Sequence, residues 1–467
     1  FDPLKHLRML ARIRLLTSDH GPLRGITAVY EFLEAKSESR IWPTAEELRG
    51  YTDAELRREF GAKTALYTDW VTLVRPTFHV YGATALALLR EVLTTWYAGG
   101  NEYAFEDLIS GLPQRTALFR EQAELWRLAE LVRESTALRE LLQSTDGAAF
   151  FARAAEVEGG SAFLAGYRDF VAEHGFGGHQ DRDIWFTRRS EDPSLDVVAL
   201  RALVDSERPS PIENEERIIA KREASTKEVE ENLRTLPFGD LRVELFRLLL
   251  SYVHRFLVLR DDTRPFADRL TWAKKQALAE LGRRAFAGGL LEAPDDYYFL
   301  AEQEFFDLLD GRDQRRLTEA KVRARRTVFE RALAGLNDPP RFLRGSTPFG
   351  TDDGPAAGEA GVLQGQGTSR GSATGRARVV RGLGEIDRLV KGDILVCNST
   401  DPGWAPVFGK VGGLVLESGG MLSHGACLSR EYGLPAVTLG GATRRIPDGA
   451  TVVVDGDSGR VTVLTDS

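Results

Sequence analysis

The chain has 467 residues, 42% hydrophobic and 28% charged, with a net charge of -8; it suits two or three globular domains and argues against a nucleic-acid partner. No apolar run approaches the about 20 residues of a membrane span and no signal peptide is visible, so no membrane association is expected. Cys397 and Cys427 are too few for a disulfide framework, which sets a reducing cytoplasm as the expected location.

The chain opens on Phe1 inside a helical pattern and is therefore expected to be a fragment or a processed product. From about residue 4 to 345, apolar residues recur at three-to-four spacing, as in 83–95 and 118–142, with Arg and Glu on the other face. Amphipathic helices packed on one another are expected, forming one domain over residues 1–345.

Two polar constellations interrupt that pattern. Residues 173–183 read Glu-His-Gly-Phe-Gly-Gly-His-Gln-Asp-Arg-Asp and gather His174 and His179 with carboxylates and Arg182. Such a set can supply a general base, His179, and a clamp for phosphoryl oxygens, Arg182. A solvated glycine-rich loop accounts for it equally well, and the histidine spacing fits no standard zinc pattern, so no metal site is expected. The second constellation is Arg260, Asp261, Asp262, Arg264, Asp268 and Arg269. Helical spacing puts Arg260 and Arg264 on one face and pairs Arg264 with Asp268, while Pro265 puts the continuity of that helix in question. A salt-bridged surface helix is the commoner explanation of such a run; phosphate binding by Arg260 and Arg264 is the alternative if the helix lines a cleft. Trp70, Tyr81, Trp185, Phe186 and Trp272 either fill cores or line an apolar acceptor pocket.

Residues 346–371 shift to Gly, Ser, Thr, Pro and Gln and read as a flexible linker. Beyond it, over 372–467, short β-rich runs at 377–380, 394–397, 413–416, 451–454 and 461–464 imply a compact α/β domain. Within that domain, residues 417–437 read Glu-Ser-Gly-Gly-Met-Leu-Ser-His-Gly-Ala-Cys-Leu-Ser-Arg-Glu-Tyr-Gly-Leu-Pro-Ala-Val. Gly419 and Gly420 give a permissive turn after a strand, and Ser423 can cap a helix that runs to about Tyr432 and stops at Gly433 and Pro435. His424 then lies in the first helical turn, where the dipole and unpaired N–H groups favour an anion, and its neutral imidazole is a competent nucleophile. An isolated Ser-His at a helix start is more often a capping or packing residue.

The long run, together with Asp448-Gly449 and Val454-Asp455-Gly456, resembles the swivelling phosphohistidine domain of phosphoenolpyruvate-utilising enzymes. It resembles in particular the rifampicin phosphotransferase type, where the histidine is likewise followed by Gly-Ala and then Arg-Glu-Tyr-Gly. Runs at 188–194, 259–269, 279–284 and 290–300 are similar to the helical substrate-binding domain of those proteins. The resemblance implies an α-helical N-terminal domain plus a small α/β swivelling phosphohistidine domain. It implies that His424 carries a phosphoryl group from ATP to a small organic acceptor, with AMP and phosphate released. ATP and Mg2+ are then expected on an ATP-grasp domain or partner subunit, because no phosphate-gripping glycine loop is recognisable in residues 1–345. Residues 425–467 are too few for the phosphoenolpyruvate-binding barrel of the dikinases. Leu422 stands where dikinases commonly carry a threonine, phosphorylated as a control in the plant enzyme, which excludes that control here. Cys427 and Ser429 replace the more usual Val and Ala and read as packing substitutions, and Gln180 stands where relatives tend to have Arg. Two other readings remain open: a ligase of the prodiginine-synthesising kind, and a stand-alone phosphocarrier serving a partner subunit.

Overall fold

A computed structural model describes residues 11, 22–38, 42–177, 183–206, 209–335, 343–344, 347–348 and 361–464. Helices dominate up to residue 335, and those that build the site are labelled in chain order: α1 (Asp53–Pro76), α2 (Ala83–Trp96), α3 (Ala117–Glu134), α4 (Leu195–Val204), α5 (Pro211–Arg234) and α6 (Gly239–Ala287). Their starts follow from local chemistry. Thr52 and Ser210 each close a capping box, with Glu55 and Glu213 respectively, and Pro211 occupies the first turn of α5, where its missing N–H costs nothing. The expected helix over 118–142 is broken, because α3 ends at Glu134 and Ser135 caps the next helix by accepting from the Leu138 N–H at 3.1 Å.

The 49-residue α6 runs unbroken through Pro265. Pro265 has no N–H to donate to the Asp261 carbonyl one turn earlier, which alone would favour a break. Packing overrides that local preference, since Phe256, Leu257, Phe266 and Leu270, on either side of the proline, are all buried in one core. That core joins α6 to Trp70 and Val74 of α1 and to Leu86, Leu89 and Leu93 of α2. A second core gathers Trp126 and Leu128 of α3, Phe163, Phe170, and Val197 and Leu200 of α4. No helix among the described residues is long and apolar enough to cross a membrane.

The C-terminal region is an eight-stranded mixed sheet: β1 (Val362–Gln364), β2 (Gln366–Ser369), β3 (Ser372–Val379), β4 (Ile394–Cys397), β5 (Gly413–Leu416), β6 (Ala436–Thr438), β7 (Thr451–Asp455) and β8 (Arg460–Val463). The spatial order is β1-β8-β7-β3-β4-β5-β6-β2. The segment from β3 to β6 pairs in parallel, and the remaining ladders are antiparallel. Helix α7 (His424–Tyr432) forms the crossover from β5 to β6. Apolar residues cover both faces of the sheet, with Leu395, Leu414, Trp404 and Phe408 on one and Val396, Val415, Val437 and Val454 on the other.

The linker expected over 346–371 needs correction at its C-terminal end, because β1 and β2 lie inside it and pair with β8 and β6. Its glycines serve close packing there. A Cβ on Gly367 would stand 2.0 Å from the Gly456 carbonyl oxygen, and one on Gly456 would stand 1.8 Å from that of Ser369. Composition reads such a segment as flexible, while backbone-to-backbone contact is what demands it. Residues 349–360 of the expected linker lie outside the described residues.

The sheet domain is seated on the helical region. Tyr103 donates its hydroxyl to Asp457 at 2.6 Å, Asn214 donates to the Glu431 carbonyl at 2.7 Å, and Arg370 pairs with Asp107 at 3.3 Å. Val198 of α4 packs into the sheet domain's core with Trp404 and Phe408.

Candidate functional site

The site starts from β5, four buried residues that end at the carboxyl edge of the parallel segment, where α/β sheets present their ligands. The chain then turns through Gly419 at φ 129, where a Cβ would stand 2.8 Å from the Ser423 side chain. Ser423 donates its N–H to the Gly420 carbonyl at 2.9 Å and accepts from the Ala426 N–H at 3.3 Å, so Ser423 is the N-cap and His424 the first residue of α7. Gly433, at φ 65, ends the helix. Arg430 fastens the turn from behind, donating to the carbonyls of Met421 at 2.7 Å and Thr368 at 3.1 Å. Gly425 fixes the approach of α7 to the sheet, since a Cβ there would lie 2.6 Å from a Leu416 methyl and 2.7 Å from the Thr400 hydroxyl.

His424 faces a cavity of about 740 Å³ between this turn and the helical region. Tyr67, Trp70, Val74, Leu86 and Phe256 form its apolar wall, and Arg260, Asp261 and Arg264 of α6 form its polar side. The Nε2 atom of His424 is shielded from solvent and has no hydrogen-bond partner among the described residues. Burial, and then Arg264 and Arg260, push its pKa down to about 3, so the ring is neutral at physiological pH with a free lone pair. A cation on the imidazole is disfavoured beside two guanidinium groups, and an anion there is favoured.

The polar side is held in place by contacts of its own. Arg260 donates through Nη1 to the Leu422 carbonyl at 2.8 Å and lies 3.3 Å from Asp261, and Arg264 pairs with Asp268 at 3.6 Å, as helical spacing required. Burial raises the Asp261 carboxyl above its usual range, with Arg260 opposing the shift. Asp262 points elsewhere, accepting from the Ala117 N–H at 2.8 Å at the start of α3.

Of the residues singled out in the sequence, Gly419, Gly420, Ser423, His424, Arg260 and Arg264 come together here, although they lie on two separate regions of the chain. His179 and Arg182 lie outside the described residues. The described start of their loop reaches the same stretch of α6: His174, Phe176 and Gly177 line a small crevice with Asp261, Arg264 and Pro265. His174 itself is bound to Glu124 at 2.9 Å. Arg188 and Arg189 at the far end of the loop are buried and structural, the latter held by Asp196 at 2.8 Å and by Glu121. Among the five aromatics proposed for a pocket, Trp70 alone lines the cavity; Trp185 instead packs edge-on against Tyr298, Phe299 and Phe329. Ser429 is buried, as a packing substitution should be, whereas Cys427 faces the junction of the two regions, with Arg430 3.4 Å from its sulfur. Sequence reading gave no role to Asp261, Tyr67, Phe256 or Gly425. Only Gly425, inside the contiguous run, carried a local signal.

Comparison with known proteins matches residues 76–261 to the family described as rifampicin phosphotransferase fourth domain, and residues 389–459 to the mobile domain of PEP-utilising enzymes. The chain is 32% identical over 348 residues to a rifampicin phosphotransferase of Streptomyces sviceus, covering 72% of this chain and 39% of that protein. It is 30% identical over 434 residues to another from Streptomyces sp, covering 88% of this chain and 48% of the relative. A prodigiosin synthesizing transferase of Serratia marcescens is 25% identical over 430 residues, covering 90% of this chain and 47% of the relative. The chain thus spans less than half the length of these relatives.

Proposed function

Because the chain belongs to the phosphoenolpyruvate-utilising enzymes of the rifampicin phosphotransferase type, we propose that it is the acceptor-binding and phosphocarrier portion of an ATP-dependent phosphotransferase. His424 is the carrier. In the transfer step the P–N bond to Nε2 breaks, the imidazole keeps the electron pair, and a P–O bond forms to an acceptor hydroxyl. The hydroxyl proton passes to a base, for which Asp261 and His179 are the two choices. Arg260 and Arg264 hold the phosphoryl oxygens as the bond changes hands. The apolar wall built from Tyr67, Trp70 and Phe256 suits a bulky, largely apolar acceptor.

ATP and Mg2+ are assigned to an ATP-grasp domain or subunit. Among the described residues no cluster of three or more His, Cys, Asp or Glu side chains could hold a metal ion. Loading His424 there would consume one water and leave AMP and inorganic phosphate.

The observation that carries this reading is the free, shielded Nε2 of His424 facing an apolar cavity in company with two arginines. The test is intact-mass and acid-lability analysis of the chain with an active ATP-grasp domain and Mg-ATP, comparing the native sequence with His424→Ala. An acid-labile gain of one phosphoryl group, absent in the variant, supports the carrier; no gain leaves a binding or scaffold role. Rifampicin is the first acceptor to try, on the strength of the relatives' names. The likeness to the prodigiosin synthesizing transferase favours one second reading, in which the phosphorylated acceptor is condensed with another molecule. The product separates the two: a stable phosphate ester, or a new carbon–carbon bond with free phosphate.

A further inference from the structure

A guanidinium group stabilises a phosphoryl group in transfer only if its donors already point at the place that group will occupy. Arg264 meets this condition through what stands behind it. It lines the cavity of His424 and also the small crevice on its other side, and so stands between the two. Asp268 lines the crevice and not the cavity. Its Oδ2 atom lies 3.6 Å from Nε of Arg264, one helical turn earlier on α6. The ion pair therefore takes the Nε edge of the guanidinium and leaves the terminal nitrogens for the His424 side. The charge is felt there: after burial itself, Arg264 weighs more than Arg260 in keeping the His424 ring neutral.

Two features separate this pair from the solvated ion pair of an ordinary surface helix. The Asp268 side chain is 13% exposed, whereas a fully exposed pair would contribute almost nothing. Its charge is also balanced from a second side. Burial pushes the pKa of the Arg188 guanidinium down, and Asp268 is foremost among the acidic groups that oppose the shift. Arg188, Asp268 and Arg264 together remain cationic, so the carboxylate holds Arg264 without cancelling the positive field on the cavity. The crevice offers Arg264 one competing carboxylate, Glu121, which is bound to Arg189 but still feels the charge of Arg264. Released from Asp268, Arg264 would turn back towards Glu121 and away from His424.

Resting on the carrier reading of His424, we propose that Asp268 is a positioning residue for phosphoryl transfer: it holds Arg264 by the Nε edge, so that the terminal guanidinium nitrogens meet the phosphoryl oxygens on His424. Asp268 touches no reacting atom and acts through Arg264.

The experiment uses the full chain and phosphoramidate, a small phosphoryl donor that needs no partner enzyme. The donor's P–N bond breaks, ammonia leaves, and a P–N bond forms to Nε2 of His424. The gain of one acid-labile phosphoryl group is followed by intact mass at neutral pH. Asp268→Ala is expected to slow the gain about tenfold, and Asp268→Glu, which restores the carboxylate, to recover most of the rate. The decisive comparison is made in the background of Arg264→Gln, where Asp268→Ala should change the rate by less than about twofold. An aspartate with a merely structural role would slow both backgrounds alike. Should Asp268→Ala not fold, Asp268→Asn reads the same quantity with the side-chain shape kept. Equal rates for the native chain and Asp268→Ala, or losses that multiply across the two backgrounds, would overturn the positioning role while leaving the carrier intact. A native chain that takes no phosphoryl group on His424 removes the carrier reading, and the positioning role with it.

Discussion

The two halves of the site are built on different scales. On the sheet domain a strand end, a glycine turn and the first turn of a helix place His424 within a single stretch of chain, each piece fixed by its immediate neighbours. In the helical region the cavity opposite draws on α1, α2 and α6, so its walls come from residues nearly two hundred positions apart. A locally built site tolerates change in its surroundings and fails through a single residue. A site assembled from distant helices depends on their packing and is shared among several side chains.

That contrast can be broken most sharply at His424. His424→Ala should abolish phosphoryl acceptance entirely, read by intact mass, while thermal unfolding stays near native because Nε2 has no hydrogen-bond partner to lose among the described residues. On the other side of the cavity, Arg260→Gln or Arg264→Gln should each slow transfer to an acceptor on the order of 100-fold, read in single-turnover decay of loaded His424. Two losses of similar size from two residues would mark the distributed half; full loss from either would collapse the distinction.

Smaller effects sharpen the comparison. Gly425→Ala drives a methyl into Leu416 and Thr400 and should destabilise the sheet domain by about 1–3 kcal/mol in urea titration. Gly420→Ala meets nothing within 4 Å and should be close to neutral.

A small effect of a different kind is the pH response of the junction. Burial, then Asp261, push the Glu431 carboxyl up to about 7. A raised carboxyl favours the seated form fully below its ordinary value of 4.5 and loses that contribution as pH rises through about 7. Glu431→Gln mimics the protonated form, so at pH 8 it should raise the unfolding midpoint by roughly 1–2 °C over native, and the gain should vanish in acid. His424 acts in the opposite sense. Its lowered pKa makes the seated form lose stability as pH falls from about 6.5 towards about 3, and His424→Ala should flatten that limb.

The legibility of these features follows the same division. The cap at Ser423, the stop at Gly433 and the strands Ile394–Cys397 and Gly413–Leu416 were readable because their determinants lie within a few residues. The strands β1 and β2 were not, because Gly365 between them and Gly367 in β2 answer to Thr438, Gly456 and Gly459 far along the chain. The arginines of α6 illustrate both cases: spacing set Arg260 and Arg264 on one face and paired Arg264 with Asp268, but could not say what that face met.

By itself, then, the sequence determined a helical region followed by a small α/β domain, and a histidine at a helix start prepared for an anion, since helix periodicity, capping and turn chemistry are short-range. Tertiary structure alone decided that α6 continues through Pro265, that Trp70 and not Trp185 lines the cavity beside His424, and that Leu422 packs against the helical core. Those outcomes depend on which apolar surfaces meet, and burial is a property of the whole packed chain, carried by no single segment of it.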